Sequence, residues 1–244
     1  MNYSPVLARR ISFPNWLIVL LSLAVAVTPL RAAEPALHYL APGKPAAAEL
    51  LAPPPLIDSP EQTADITTVR AVYHAASNTD KQAAYDEKKF SVFNFTSAVG
   101  AYFVATNLPK TAAFFEKVQL DAETVTDLGK NYFHRSRPFT TDTNLANGKL
   151  EKSFSYPSGH STESMVLALV LADLLPAQHD AILAHARTMG WHRVQIARHY
   201  PTDIYAGRVL AQAIVKQFKK SEDYEEAFKE AKQEIEAVRK AALN

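Results

Sequence analysis

The sequence predicts an all-α protein with a single compact helical-bundle domain. Only 7 of its 244 residues are glycine, whereas a many-stranded β fold needs glycine in its tight turns. Alanine, leucine, glutamate and lysine, which favour helices, are abundant. With 48% hydrophobic residues the chain can bury a substantial core, and its length suits one large domain. We therefore expect one helical domain over residues 59–244, preceded by segments of a different kind.

Charge and cysteine content exclude several classes of function. The formal net charge is +1, so no overall field attracts nucleic acid or an acidic membrane surface, and we expect no nucleic-acid partner. Any anion binding must come from a local cluster of cations. The absence of cysteine excludes disulfides, thiolate catalysis and cysteine-ligated metal centres.

The first 33 residues have the pattern of an export signal. Arg9 and Arg10 precede an apolar run over residues 16–27, and small residues follow. The run is short for a membrane span, so we expect cleavage and no stable membrane insertion; a retained anchor is the alternative. Cleavage after Ala26 or near Ala33 would each suit the pattern, and the export route is open between general and twin-arginine secretion. The sequence thus predicts a periplasmic or secreted protein.

A proline-rich segment, residues 34–58, follows the leader. It contains Pro53-Pro54-Pro55 and cannot form a continuous helix or a central strand. We expect an extended arm that could dock on a neighbouring subunit, which leaves a homo-oligomer open.

Capping residues and apolar periodicity predict the first helices of the domain. Ser59 with Pro60 is typical of a helix start, and a second helix is expected from Thr79 toward Phe90. Residues 93–105 are apolar nearly all round, which predicts a helix buried at the centre of the bundle.

Further helices are expected to begin at Pro109 and at Asp121, the second ending near Phe133. The remaining helices are expected at about residues 160–175, 177–192, 201–219 and 222–242.

The first segment with candidate site residues contains Lys130 and Arg137-Pro138. At about 100° per residue, two cations seven positions apart would lie within about 20° of each other if the helix continued that far. Together they could bind one anion, although each taken singly is more often a solvated surface charge.

The second segment, Pro157-Ser158-Gly159-His160, directly precedes an apolar helical run. Ser158 can cap that helix, and Gly159 lets the backbone approach a ligand closely. The free amides at the positive end of the helix dipole suit phosphate oxygens, and His160 would stand beside the bound anion. A capping turn with an incidental surface histidine is the alternative.

The third segment runs from Arg193 to His199 and on through Pro201 to Asp203. If Pro201 opens a helix, Asp203 lies in its first turn and can accept a hydrogen bond from one ring nitrogen of His199. The other nitrogen then keeps a lone pair, as a nucleophile toward phosphorus requires. A helix-capping box with a chance histidine is the alternative.

Together the three segments resemble the signature of the type 2 phosphatidic acid phosphatase superfamily, which also contains the vanadium haloperoxidases. The matching motifs are Lys130-x6-Arg137-Pro138, Pro157-Ser158-Gly159-His160 and Arg193-x5-His199-x3-Asp203. Within the superfamily, the chain is most similar to the bacterial class A non-specific acid phosphatases, which are soluble periplasmic all-α enzymes. The leader, the arm and the charged last helix support the resemblance. It covers nearly all of the mature chain that would remain after the leader is removed.

The resemblance implies a role for each motif residue. His199 would be the nucleophile, Asp203 would orient it, and His160 would protonate the leaving oxygen. The phosphoryl oxygens would be bound by Lys130, Arg137, Arg193 and the backbone of Ser158 and Gly159. No metal or other cofactor is implied, because three cations and the helix amides provide the electrostatic stabilisation. The expected reaction is hydrolysis of small phosphate monoesters with an acidic optimum, and phosphotransfer to alcohols is allowed.

Two positions depart from the usual pattern of the family. His192 stands where serine commonly precedes the arginine of the third motif, and Ser161 stands where threonine commonly follows the histidine of the second. Because His192 is a larger and titratable ring, phosphate affinity or pH dependence is expected to differ; a packing role beside Trp191 is the alternative.

Three other functions share parts of this pattern. A haloperoxidase would hold vanadate in the same anion site. The lipid phosphatases that the chain most resembles span the membrane several times, unlike this chain. A phosphate-binding protein would need only the cations and amides, so His160, His199 and Asp203 favour an enzyme.

Overall fold

A computed structural model describes residues 37–242, which form helices and connecting segments with no strand in that range. The all-α prediction is confirmed. The α-helices are α1 (Ala47–Leu50), α2 (Pro60–Ala75), α3 (Asn78–Asp86), α4 (Thr96–Val99), α5 (Pro109–Phe133), α6 (Pro138–Thr141), α7 (Gly159–Leu174), α8 (His179–Gln195), α9 (Pro201–Phe218) and α10 (Glu222–Ala242). The predicted leader lies outside the described residues. Over residues 37–242, every helix is too short or too polar to cross a membrane.

Helix α7 is the centre of the bundle, and α5, α8 and α9 pack around it. Most of its residues are buried. Its contact with α9 is close: a Cβ at Gly207 would lie only 2.9 Å from the carbonyl oxygen of Ser158. Glycine at this position therefore lets α9 approach the N-terminal end of α7, where two of the predicted motifs meet.

Several helix ends follow the predicted capping chemistry. Ser59 caps α2, its hydroxyl accepting a hydrogen bond from the amide of Gln62 at 3.1 Å. Helix α3 begins one residue before Thr79, with Ser77 and Asp80 bonded reciprocally, and it ends at Asp86 rather than near Phe90. The last four helices lie within a few residues of their predicted bounds.

The predicted central helix over residues 93–105 is wrong. A 3₁₀ turn at Val92–Phe95 and the short helix α4 lead into Gly100, whose φ of 133° no helix contains. The chain then doubles back, and the hydroxyl of Thr96 donates to the carbonyl oxygen of Phe103 at 2.6 Å. The segment is irregular, and it packs on the core through the buried side chains of Phe95, Val99 and Phe103 rather than as a buried helix.

The predicted break at Asp121 is also wrong, because α5 is one continuous helix of 25 residues. The carboxylate of Asp121 instead accepts three backbone hydrogen bonds from the arm, from His38, Tyr39 and Leu40, at 2.8, 2.8 and 3.1 Å. The start of the arm is thus bound to its own domain.

Candidate active site

The three predicted motifs come together at the N-terminal ends of α7 and α9. The amide of Ser158 donates to the carbonyl oxygen of Asp203 at 3.1 Å. Nη1 of Arg137 lies 3.2 Å from Nε2 of His199. Lys130 Nζ lies 3.3 Å from the position that a Cβ on Gly159 would occupy. Residues that are far apart in the chain therefore surround one small volume.

Arg137 reaches the site by a different route from the predicted one. Helix α5 ends at Phe133, and His134 adopts a left-handed conformation with φ of 52°, so Lys130 and Arg137 do not share a helical face. Instead the turn carries Arg137 across the site, where its guanidinium donates to the carbonyl oxygens of Ser153 at 2.8 Å and Arg198 at 2.9 Å. The guanidinium is fixed by backbone acceptors.

The ring of His199 is held between a carboxylate and a guanidinium. Its Nδ1 lies 3.3 Å from Oδ2 of Asp203, and Ser155 Oγ donates to the same oxygen at 2.6 Å. The amide of Tyr200 also donates to Asp203, at 2.9 Å. Since Arg137 can only donate, the contacts fit the tautomer with its hydrogen on Nδ1 and a lone pair on Nε2. Asp203 thus caps α9 and orients His199 at once.

The surroundings of His199 disfavour its protonated form. Burial lowers the pKa of His199 well below its usual value, and the nearby cations Arg137, Arg193 and Lys130 lower it further. The imidazole is therefore neutral across most of the physiological pH range, and Nε2 is unprotonated, as attack on an electrophile requires.

His160 stands in the first turn of α7, close enough to His199 for the charges of the two rings to interact. Its Nε2 lies 3.1 Å from the carbonyl oxygen of Glu87, and its ring packs 5.3 Å from the ring of Phe90. Burial lowers the pKa of His160 well below its usual value, and the charge of Arg193 adds to this effect. A bound dianion would oppose these cations and favour the imidazolium, which could then donate a proton.

The N-terminal end of α7 has the geometry of an anion site. Ser158 is its N-cap, with Oγ 3.4 Å from the amide of Ser161. The amides of Gly159 and His160 begin the helix and therefore have no intrahelical acceptor. Free amides and the positive dipole end both favour a phosphoryl group here.

Arg193 completes the group of cations. Its Nη2 donates to Oε1 of Glu151 at 2.7 Å, whereas its buried Nε has no hydrogen-bond partner among residues 37–242. Burial lowers the pKa of Arg193 to about 10, although Glu151 opposes the shift, so the guanidinium is still charged at neutral pH. The unpartnered Nε is available to a phosphoryl oxygen.

The chain is similar to known proteins of one family. Residues 95–225 match the PAP2 superfamily. The chain belongs to this superfamily. An acid phosphatase of Zymomonas mobilis is 28% identical over 201 residues, covering 79% of this chain and 76% of that protein. A non-specific acid phosphatase of Providencia stuartii is 29% identical over 152 residues, which are 60% of this chain and 61% of that protein. The predictions of a PAP2 protein and of a phosphatase are thereby confirmed.

Two PAP2-type comparisons concern lipid phosphatases. A lipid A 1-phosphatase of Rhizobium etli is 42% identical over 53 residues, 22% of this chain and 23% of that protein. A transmembrane PAP2 type phosphatidylglycerolphosphate phosphatase from Bacillus subtilis has a TM-score of 0.49 and 20% identity, covering 71% of this chain and 89% of that one.

Sequence reasoning missed Arg135, a buried residue of this PAP2 site. Its guanidinium donates to Asp203 Oδ1 at 2.6 Å and to Asp65 Oδ2 at 2.7 Å, and it lies 4.0 Å from the centre of the Tyr200 ring. Burial opposes its charge, but the attraction of Asp203 and Asp65 outweighs burial and raises the pKa of Arg135. Arg135 therefore fixes the carboxylate that orients His199. The only signal was its position two residues before Arg137.

The loop between α6 and α7 provides two further residues that the motifs did not indicate. Glu151 bridges Arg193 and Arg198, with both contacts at 2.7 Å. Ser155 contacts both His199 and Asp203. Neither residue had a signal in the sequence, because each lies in a loop whose course depends on the rest of the fold.

The unusual His192 contacts the segment that holds His160. Its Nδ1 lies 2.8 Å from the carboxylate of Glu87, whose carbonyl oxygen is the partner of His160. His192 is thus linked to the PAP2 site through the Glu87 backbone and does more than pack beside Trp191.

Proposed function

We propose that this PAP2 protein hydrolyses small phosphate monoesters through a phosphohistidine formed at Nε2 of His199, without a metal ion. The observation that carries the proposal is the position of the His199 ring. Its Nδ1 side faces Asp203, and its Nε2 side faces Arg137 at 3.2 Å. A nucleophile needs this combination of a fixed tautomer, an unprotonated Nε2 and adjacent positive charge for the phosphoryl oxygens.

In the first step the phosphoryl group binds between the end of α7 and the cations Lys130, Arg137 and Arg193. Nε2 of His199 attacks phosphorus, the bond to the leaving oxygen breaks, and His160 transfers its proton to that oxygen. Asp203 stabilises the ring as it becomes cationic. The charge that spreads over the three phosphoryl oxygens meets the cations and the amides of α7.

In the second step water attacks the phosphohistidine. His160, now neutral, accepts a proton from the water, the phosphorus–nitrogen bond breaks, and phosphate leaves. An alcohol in the same position would give phosphotransfer. The leader predicted for residues 1–33 supports action of the mature enzyme in the periplasm or outside the cell.

We expect the purified protein to hydrolyse p-nitrophenyl phosphate at the same rate with and without a chelator such as EDTA, because side chains and amides provide all the positive charge at the site. Release of p-nitrophenol is the measurement. Loss of activity with the chelator, restored by a divalent metal, would contradict the metal-free proposal. Vanadate should inhibit the reaction; halide oxidation on adding vanadate would instead support a haloperoxidase.

We expect activity to be highest at acidic pH. Burial lowers the pKa of His160. In the ligand-free enzyme, His160 therefore loses its proton, and with it its role as general acid, at a pH below the usual pKa of histidine. A bound phosphate dianion opposes the cations and raises that pKa, so the alkaline limb of kcat should lie at higher pH than that of kcat/KM. Steady-state rates from pH 4 to 9 test this. A rate that still rises above pH 8 would contradict it.

A further inference from the structure

A pocket of about 440 Å³ lies between α5 and the segment that precedes it. Apolar side chains form much of its lining, among them Phe90, Phe93, Phe115 and Leu120. Glu116 and Glu123 also line it. We call it the aryl pocket. Its volume is in the range of small-molecule sites.

The aryl pocket shares a wall with the candidate active site. Phe90 lines the pocket, and its ring packs 5.3 Å from the ring of His160. Gln119 also lines the pocket, and its Nε2 donates to the carbonyl oxygen of Phe90 at 3.3 Å and to Oε2 of Glu163 at 3.1 Å. One side of this wall therefore faces the pocket, and the other faces the proposed general acid.

Glu163 links this wall to the phosphate site. Its Oε1 lies 3.2 Å from the position of a Cβ on Gly159, and Lys130 Nζ lies 3.3 Å from the same point. The side chain of Glu163 is partly exposed. Its carboxyl group thus lies at the junction of the aryl pocket and the phosphate site. Neither step of the proposed hydrolysis uses this carboxyl group.

We propose that the aryl pocket receives the leaving group of the phosphate ester and that Glu163 makes the site select uncharged apolar leaving groups over anionic ones. The inference rests on the proposed function, because His160 must lie beside the leaving oxygen to protonate it. The group attached to that oxygen then extends past His160 toward Phe90. Aromatic walls favour an aryl or alkyl group there.

The charges at the junction oppose an anionic leaving group. Glu116 and Glu123 line the pocket, and Glu163 lies directly behind the lining residue Gln119, which donates a hydrogen bond to it at 3.1 Å. Lys130 lies at the junction, but it belongs to the proposed phosphate site. A second negative charge on the substrate would therefore meet carboxylates after the phosphoryl group has engaged the cations.

This selection should depend on pH. Burial raises the pKa of Glu163 to about 7; Glu123 and Asp127 act in the same direction, whereas the hydrogen bond from Gln119 and the charge of Lys130 oppose them. The segment that joins α3 to the pocket has three charged side chains: Glu87, which contacts His192, and the exposed Lys88 and Lys89. Glu163 therefore gains its charge as pH rises through about 7, so discrimination against anionic leaving groups should grow as pH rises.

The test is binding of three phosphonates by calorimetry: methylphosphonate, phenylphosphonate and 4-carboxyphenylphosphonate. These ligands keep the anionic group but cannot be hydrolysed. We expect phenylphosphonate to bind several-fold more tightly than methylphosphonate, because its ring leaves water. We expect 4-carboxyphenylphosphonate to bind roughly tenfold more weakly than phenylphosphonate at pH 8, and less so at pH 5.5.

Two pairs of variants assign these effects to residues. Glu163→Gln should remove most of the discrimination at pH 8, whereas Glu61→Gln, at an exposed position in the first turn of α2, should not. Ala112→Phe partly fills the aryl pocket and should weaken phenylphosphonate but not methylphosphonate; the matched control is Ala113→Phe, at the exposed neighbouring position. Thermal unfolding verifies that each variant is folded.

Equal binding of methylphosphonate and phenylphosphonate would overturn the pocket assignment, as would equal effects of the two phenylalanine variants. An unchanged preference in Glu163→Gln at pH 8 would overturn the role of Glu163. The measurement does not depend on turnover. If the three ligands rank as expected but esters are not hydrolysed, the proposed function fails while the binding site stands.

Discussion

Replacing His199 with alanine is expected to reduce kcat/KM for p-nitrophenyl phosphate by about 10³-fold or more, because the reaction loses its nucleophile. Binding of inorganic phosphate should change far less, since Lys130, Arg193 and the amides of α7 remain. Initial rates and phosphate calorimetry on the same preparation measure both quantities.

His179→Ala is the matched control for this substitution. His179 begins α8, its side chain is 53% exposed, and among residues 37–242 its ring nitrogen pairs only with the neighbouring Asp180. Its loss should leave the rate unchanged. Activity retained in His199→Ala within a few-fold of the wild type would contradict the mechanism.

Replacing Arg135 with methionine is expected to lower the free energy of unfolding by about 3–5 kcal/mol. The substitution leaves two buried carboxylates, those of Asp65 and Asp203, without their shared cation. Because Asp203 also orients His199, kcat should fall in whatever fraction still folds. Urea unfolding followed by circular dichroism measures the stability.

Arg70→Met is the control for Arg135→Met, because Arg70 also pairs with a carboxylate, that of Asp142 at 2.7 Å, but is 48% exposed. An exposed ion pair of this kind contributes at most about 1 kcal/mol. The account of the buried network would be wrong if the two variants lost the same stability.

Local chemistry explains which parts of the fold could be predicted from sequence. Ser59 and Ser158 cap helices by accepting a hydrogen bond from the amide three residues further on, so the chain itself contains the signal. The role of Asp121 was not visible, since its partners lie about 80 positions away in the arm. Residues 93–105 were misassigned because apolar composition alone does not distinguish a buried helix from an irregular segment that buries only a few of its side chains.

The residues of the candidate site also fall into those that the sequence could indicate and those that it could not. Residues in motifs, such as His160, His199 and Asp203, could be selected because each stands beside a helix start that the sequence marks. Arg135 and Glu151 could not, because their partners are side chains on distant segments. The sequence therefore indicated the residues proposed to touch the phosphoryl group, but missed most of those that hold them in position.

The central claim is that phosphate is transferred to His199, and trapping the phosphoryl group tests it most directly. The protein would be mixed with substrate near its pH optimum and quenched in alkali, where phosphohistidine is stable, and the modified peptide located by mass spectrometry. We predict a phosphoryl group on His199 in the wild type and none in His199→Ala. A phosphoryl group on any other side chain, or equal labelling of the two proteins, would contradict the account.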